Sequence, residues 1–252
     1  MIILALDVST SNIGVCVYDT EESKILLLYS VKPEYDKKST HTDLEKYLAK
    51  GNSSIVAISP IIEQYSVEKI VVEEPLLNSN NQKTAKILEL FNEYLTHSLK
   101  VKYNLPIEFI TVNNARKQAF PNILCDVKGK LFGGFPKEIH GVAFKDLRKA
   151  SILFCVSKHT PTVSWHLNRN YAIAATNFDI ADAATVAIAY DNGKYSLDKN
   201  ATNKDLITFL EKYVVYTLFV KNLKTKELSN EEKKTVITNY WKVHIPELKV
   251  IL

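Results

Sequence analysis

Ile2-Ile3-Leu4-Ala5-Leu6-Asp7-Val8 opens the chain, and Gly14-Val15-Cys16-Val17-Tyr18 follows after the polar turn Ser9-Thr10-Ser11-Asn12. Two short apolar runs separated by a tight turn read as antiparallel strands of a buried sheet. A third strand, Lys24–Tyr29, comes after Asp19-Thr20-Glu21-Glu22-Ser23, so the N-terminus is a three-stranded meander. Asp7 is the anomaly, a carboxylate at the end of a strand that must otherwise be buried.

Two more acidic patches stand at comparable boundaries. Glu73 and Glu74 end the apolar run Ile70-Val71-Val72, and Asp179 and Asp182 begin the alanine-rich segment that runs to Tyr190. Bringing carboxylates together at buried strand ends is costly unless a cation offsets it, and a divalent metal with oxygen ligands is the usual solution. The pattern points to a hydrolase whose metal ions act on phosphate. Each residue also has an ordinary reading. Asp7 alone is a turn former, Asp179 alone a helix N-cap, and Asp182 alone a first-turn partner of the helix dipole. Three patches at matching boundaries make the shared explanation the better one.

Working outward, residues 42–64 read as a helix with Asp43 and Glu45 in its first turn, interrupted in pattern by Gly51 and Pro60. Glu68–Glu73 is a β-branched strand. The turn Asn78-Ser-Asn-Asn81 precedes an amphipathic helix with Ile87, Leu88, Phe91, Leu95 and Leu99 at helical spacing. Ile107–Val112 is a fifth strand, followed by helices from Asn113 and over Phe144–Val156. Between those helices Pro121–Gly141 is glycine-rich and reads as a loop or lid. The last acidic helix, Asp179–Tyr190, stops at Asn192-Gly193. The order β-β-β-α-β-α-β-α-α is that of an α/β open sheet, in which Asp7 and Glu73 meet at the centre. Beyond Ser196 the chain changes character. Leu206, Phe209, Leu210, Tyr213, Val214, Leu218 and Phe219 cover more than one helical face, and Ser229-Asn-Glu-Glu232 is a capping box. The expected division is a domain over residues 1–194 with an insertion at 121–141, then a helical extension over 195–252.

Composition is that of an ordinary globular protein, with 46% hydrophobic and 24% charged residues among 252. No stretch reaches the roughly 18 uncharged apolar residues of a membrane span. Cys16, Cys125 and Cys155 have no metal-like spacing, which suits a reduced, intracellular protein. The net charge of +4 is unevenly placed: between His97 and Arg169, twelve Lys and Arg stand against four Asp and Glu. A basic segment beside a carboxylate cluster suits a polyanion that must also meet metal ions. Lys83, Lys86, Arg116, Lys117, Lys145, Arg148 and Lys149 are the candidate phosphate contacts, against the plain alternative of a solvated surface. Ser53 and Ser54 lack a nucleophile elbow, and His159 and His166, near the last acidic pair, read as surface histidines against the alternative that either orients a phosphate or a water.

Two-metal phosphodiester hydrolysis needs carboxylates around ions about 4 Å apart, one ion activating water and the other stabilising the leaving oxygen. Asp7, at a rigid strand end, suits the bridging position. Glu73 adds a longer arm, and Asp179 and Asp182, three residues apart, project from one helical face. Adjacent strand residues point to opposite faces, so only one of Glu73 and Glu74 joins the cluster, and Glu73 is the expected one.

These motifs, Leu4–Tyr18, Val71-Val-Glu-Glu-Pro75 and Asp179-x-x-Asp182, together resemble the RuvC family of Holliday-junction resolvases over residues 1–192. The resemblance implies a ribonuclease-H-like mixed five-stranded sheet flanked by helices. It implies a homodimer that nicks a four-way DNA junction in pairs, with Mg²⁺ (or Mn²⁺) held by Asp7, Glu73, Asp179 and Asp182. Residues 75–86 would approach the junction centre. Ser9 stands where bacterial resolvases usually carry Gly, and the 121–141 segment and the tail are additions. Compact viral or phage relatives that cut several branched DNAs would fit that divergence. Two other readings stay open: a non-catalytic branched-DNA-binding protein on the same fold, and an actin- or sugar-kinase-like ATP-binding protein. The latter needs a second Gly-rich phosphate loop, and seven glycines with no second Asp-x-Gly make a poor case for it.

Overall fold

The computed structural model describes residues 1–36, 42–75, 82–191 and 202–251, without the side chains of residues 82–84 and 224. The elements in chain order begin β1 Ile2–Val8, β2 Ile13–Asp19, β3 Lys24–Val31, α1 Asp43–Tyr65, β4 Lys69–Glu74, α2 Gln82–Tyr103, β5 Ile107–Thr111 and α3 Val112–Ala119. They continue α4 Pro121–Leu124, β6 Glu138–Ile139, β7 Val142–Ala143, α5 Phe144–His159, β8 Ser164–His166, α6 Ala175–Tyr190, α7 Asn203–Lys224, α8 Asn230–His244 and β9 Lys249–Ile251. The expected turn at 78–81 and the Asn192-Gly193 stop lie outside the described residues.

β1 to β5 form one mixed sheet of order β3-β2-β1-β4-β5, the ribonuclease-H-like sheet of the expectation. β2 runs antiparallel to β1 and β3, whereas β4 is parallel to β1 and to β5. The β1–β2 turn closes through Ser9, whose N–H and hydroxyl both donate to the Asn12 carbonyl at 3.1 and 2.6 Å. Alternation then sorts the side chains. Leu4, Leu6, Val8, Ile13, Val15, Val17, Ile70 and Val72 join Ile58, Ile62, Phe91, Leu95 and Leu99 of α1 and α2 in one core. Ile3, Ala5, Cys16 and Val71 are buried on the opposite face. There α6 is tied to the sheet: the Tyr18 and Ser23 hydroxyls donate to Asp191, and Lys69 Nζ donates to the Tyr190 hydroxyl at 2.9 Å. α1 starts on a full capping box between Thr42 and Glu45 and continues through Pro60 to Tyr65.

The chain divides into two compact units, and not where the sequence suggests. One comprises residues 1–119 and 179–195, the other residues 120–178 and 196–252. The expected insertion and the expected tail therefore share a core. The physical reason is α5, which buries residues all round, from Phe144 and Leu147 to Val156 and His159. α7 supplies its partner surface, with Phe209 stacked on Phe154 at a ring separation of 4.9 Å. α8 begins on the Ser229–Glu232 capping box and packs Trp241 against Tyr216 at 4.5 Å. The chain's end adds β9 in parallel register to β8, Trp165 opposite Val250. The 121–141 segment is not a structureless loop: it carries α4, β6 and a turn in which Asp126 Oδ1 accepts from the N–H of Lys128 and of Lys130. Among the described residues no helix is long and apolar enough to cross a membrane.

Because α7 covers α5, a chain ending at residue 201 should lose cooperative thermal unfolding of the second unit and aggregate, read by calorimetry and size exclusion. Phe209→Ala in the full chain should cost about 3–5 kcal/mol in urea unfolding.

Candidate active site

One row of residues crosses the sheet near the carboxyl ends of β1 and β4. Ser30 on β3 pairs with Gly14 on β2, and Gly14 pairs with Asp7 on β1. The parallel β1–β4 register, Leu6 beside Val72, carries Asp7 alongside Glu73, which pairs with Ile110 on β5. Residues at one level of a sheet share a face. Leu6 and Val72 belong to the α1–α2 core, so Asp7 and Glu73 face the other way, towards α6. Glu74 is exposed and has the parity of the α1–α2 face. The row therefore unites Asp7 and Glu73 and leaves Glu74 out.

α6 brings the other two carboxylates. It begins at Ala175, a full turn before Asp179, so neither Asp179 nor Asp182 caps it. Its contact with the row is backbone to backbone. A Cβ on Gly14 would lie 2.0 Å from the Asp179 carbonyl oxygen and 2.4 Å from its carbon. Only a residue with no side chain lets the helix down to this level. On its Cβ side Gly14 thus faces the backbone of α6.

Each helix carboxylate has a holder. Asp179 Oδ2 accepts from Asn12 Nδ2 at 2.6 Å, and Asn12 Oδ1 accepts from the Ser30 hydroxyl at 2.5 Å. Asp182 is buried among Ala181, Ala183 and Ala184, and Arg116 Nη2 of α3 donates to its Oδ1 at 3.0 Å. The two side chains are 14% and 11% exposed, Arg and Asp respectively, so this is a buried ion pair. Among the described residues Arg116 Nε finds no acceptor, so the guanidinium makes one arm of what could be a fork.

The donor set is all carboxylate oxygen, the chemistry that suits a hard divalent cation. Among the described residues, however, no three His, Cys, Asp or Glu side chains are gathered closely enough to hold a metal ion. The set therefore matches such a cation in the chemistry of its donors and not in their closeness, and Asp182 is engaged by Arg116 in this arrangement. Arg116 departs from its expected role, because its charge is spent inside the unit and not on a phosphate. Lys86, Lys117, Lys145, Arg148 and Lys149 are exposed, the first two on the first unit and the other three on the second. The side chain of Lys83 lies outside the described residues. His159 and His166 belong to the second unit, and His159 is buried, with Nδ1 3.0 Å from the Thr160 hydroxyl. Burial pushes the Cys16 and Cys155 thiols far up, which leaves neither as a nucleophile.

A cavity of about 780 Å³ elsewhere on the first unit is lined by Val71, Glu74, Glu108, Thr111, Asn114 and Gln118 among others, and by none of the four carboxylates. Sequence reasoning missed Asn12, which read as a turn residue, and Ser30, whose distance from Asp179 along the chain hides it.

No family model matches the chain, and no curated protein sequence matches it. Among solved structures it is similar to T. thermophilus RuvC in complex with Holliday junction substrate, at 11% identity and a TM-score of 0.49, covering 77% of this chain and 94% of that one. The yeast mitochondrial Holliday junction resolvase Ydc2 gives 12% identity and a TM-score of 0.44, covering 82% and 83%. A Ppx/GppA phosphatase from Aquifex aeolicus gives 16% and 0.31, covering 48% and 40%.

Gly14→Ala should push α6 off the row and destabilise the first unit by roughly 1–3 kcal/mol, measured by urea unfolding. Arg116→Met should cost about 3–5 kcal/mol, because it strands a buried carboxylate, and Arg116→Met/Asp182→Leu should recover most of that loss in the same assay.

Proposed function

We propose that this protein is a metal-dependent, structure-selective endodeoxyribonuclease that resolves four-way DNA junctions, and related branched DNA, by paired nicking. The observation that carries the reading is the row: Asp7 and Glu73 at one level of adjacent strands, with Asp179 and Asp182 on the helix that touches the sheet at Gly14. In this reading all four would hold two Mg²⁺ ions, with Mn²⁺ able to replace them. When bound, the ions supply an activated water and a counter-charge for the leaving oxygen.

The chain's own residues do the positioning. Asp7 and Glu73 stand on strands paired on both sides, so their backbones are rigid. Asn12 Nδ2 donates to the Asp179 carboxylate, and Arg116 Nη2 donates to Asp182 on the alanine-rich helix. Lys83, Lys86, Lys117, Lys145, Arg148 and Lys149 would track phosphates, with Arg116 withdrawn from that set. Paired nicking of a two-fold symmetric junction needs two active sites on a matching axis, which a homodimer supplies. A second reading, a branched-DNA-binding protein without catalysis, draws on the Arg116–Asp182 pair, which occupies one of the four carboxylates.

The test is a labelled four-way junction, a flap and a linear duplex incubated with the protein, with Mg²⁺ and with chelator, alongside light scattering of the protein on the junction. Asp7→Asn and Glu73→Gln should abolish nicking and keep binding. Glu74→Gln should be mild, and Asp7→Asn should melt no lower than the parent without metal. A junction shifted but never nicked favours the second reading, and equal severity of Glu73→Gln and Glu74→Gln would contradict the assignment of the faces.

A further inference from the structure

Asn92 of α2 is 2% exposed, and among the described residues neither its Oδ1 nor its Nδ2 has a hydrogen-bond partner. Leaving both ends of a buried amide unmade is costly, so the residue calls for an explanation. Its surroundings supply one. Asn92 lines a recess of about 240 Å³ in the first unit, together with Glu74, Pro75, Glu89, Glu93 and Phe109. Glu89, Asn92 and Glu93 lie within one turn of α2 and share a face. Phe109 pairs with Val72 and so has the parity of the α1–α2 face, as Glu74 does. Its strand, β5, is the outermost of the sheet, and its ring is 49% exposed. Three carboxylates, an amide and an aromatic ring thus meet at the sheet edge, and among the described residues no Lys or Arg lines the recess.

The chemistry of this lining narrows the occupant. A nucleic-acid backbone would set phosphates against three carboxylates. A metal ion has no cage here, since among the described residues no three His, Cys, Asp or Glu side chains stand close enough. The volume is below the roughly 300–1,000 Å³ of small-molecule sites and suits one side chain. A guanidinium matches the lining best: its planar fork donates to a carboxylate and to an amide oxygen together and stacks on a ring, whereas an ammonium is a compact point charge. A guanidinium accepts nothing, so Asn92 Nδ2 still needs a carbonyl, which a peptide carries and a polyamine does not. We propose that this recess is a docking pocket for an arginine of a protein partner. Asn92 Oδ1 and the glutamates receive the guanidinium against Phe109, and Nδ2 donates to a main-chain carbonyl of the same segment. Glu93 is exposed and Glu89 half-buried, so both are placed to turn towards the entering cation and uncover the amide. Glu73 serves the carboxylate row and Glu74 this pocket, on opposite faces of one strand end.

The probe is the capped tripeptide acetyl-Gly-Arg-Gly-amide, titrated into the ¹⁵N-labelled full chain and followed by NMR. The Asn92 side-chain NH₂ and the Phe109 amide should shift saturably, with a Kd of about 1 mM, as expected of a single anchor. The citrulline peptide keeps the shape and loses the charge, and should bind at least about tenfold more weakly. Glu89→Gln/Glu93→Gln should weaken the arginine peptide by about the same factor. Asn92→Leu should weaken it too, with a melting temperature unchanged or higher, because an apolar side chain of similar size replaces a stranded amide. A structural amide that merely holds a water would behave the other way, with a lower melting temperature and an unchanged peptide affinity, and that result overturns the proposal. Equal affinity for the citrulline peptide overturns it as well, as do shifts confined to other residues, or the same signals moved by a short DNA duplex and not by the peptide. Should Asn92→Leu fail to fold, the Glu89→Gln/Glu93→Gln variant carries the test alone, and an unchanged affinity there overturns the proposal equally.

Discussion

The close approach of α6 to β2 at Gly14 is the constraint on which the site depends. With a hypothetical Cβ only 2.0 Å from the Asp179 carbonyl oxygen, any larger residue would hold the helix away from the sheet. The alanines at 181, 183, 184, 187 and 189, all buried, extend the same logic along the helix, since small side chains let the two surfaces meet. Asp179 is thereby delivered to the strand that pairs with β1, directly opposite Asp7. A helix with bulkier residues would pack equally well as a core element but too far out to share a site with the strand ends.

That approach creates an electrostatic problem, which the two α6 carboxylates solve differently. Asp179, partly exposed, is held by a neutral donor, and Asp182, 8% exposed, is held by a cation. The two holders come from opposite sides of the sheet's row, one from the β1–β2 turn and one from the helix after β5.

The second unit follows from one helix that cannot stand alone. α5 is buried on nearly every face, and a helix of that kind must be enclosed. Residues 203–251 enclose it, through the stacking of Phe209 on Phe154 and the pairing of β9 with β8. Val215 and Leu218 of α7 remain 44% and 47% exposed, so the tail's apolar surface is mostly, not wholly, used within its own unit.

The meander, the five-stranded sheet and the Ser229–Glu232 capping box were legible in the sequence, because period-two burial, turn residues and helix caps are local signals carried by neighbours. That Glu73 and Glu74 take opposite faces of the sheet was legible for the same reason, as alternation depends only on adjacent residues. What required the tertiary structure was every relation between residues distant in the chain. Nothing linear marks Ser30 as the partner of Asn12, Arg116 as the counter-ion of Asp182, or the 121–141 segment as part of the same core as the tail. Arg116 and Lys117 look alike in the sequence, yet one is buried on a carboxylate and the other exposed. Helical phase and the packing of α3 decided which, since a charge enters the interior only where an opposite charge is already waiting.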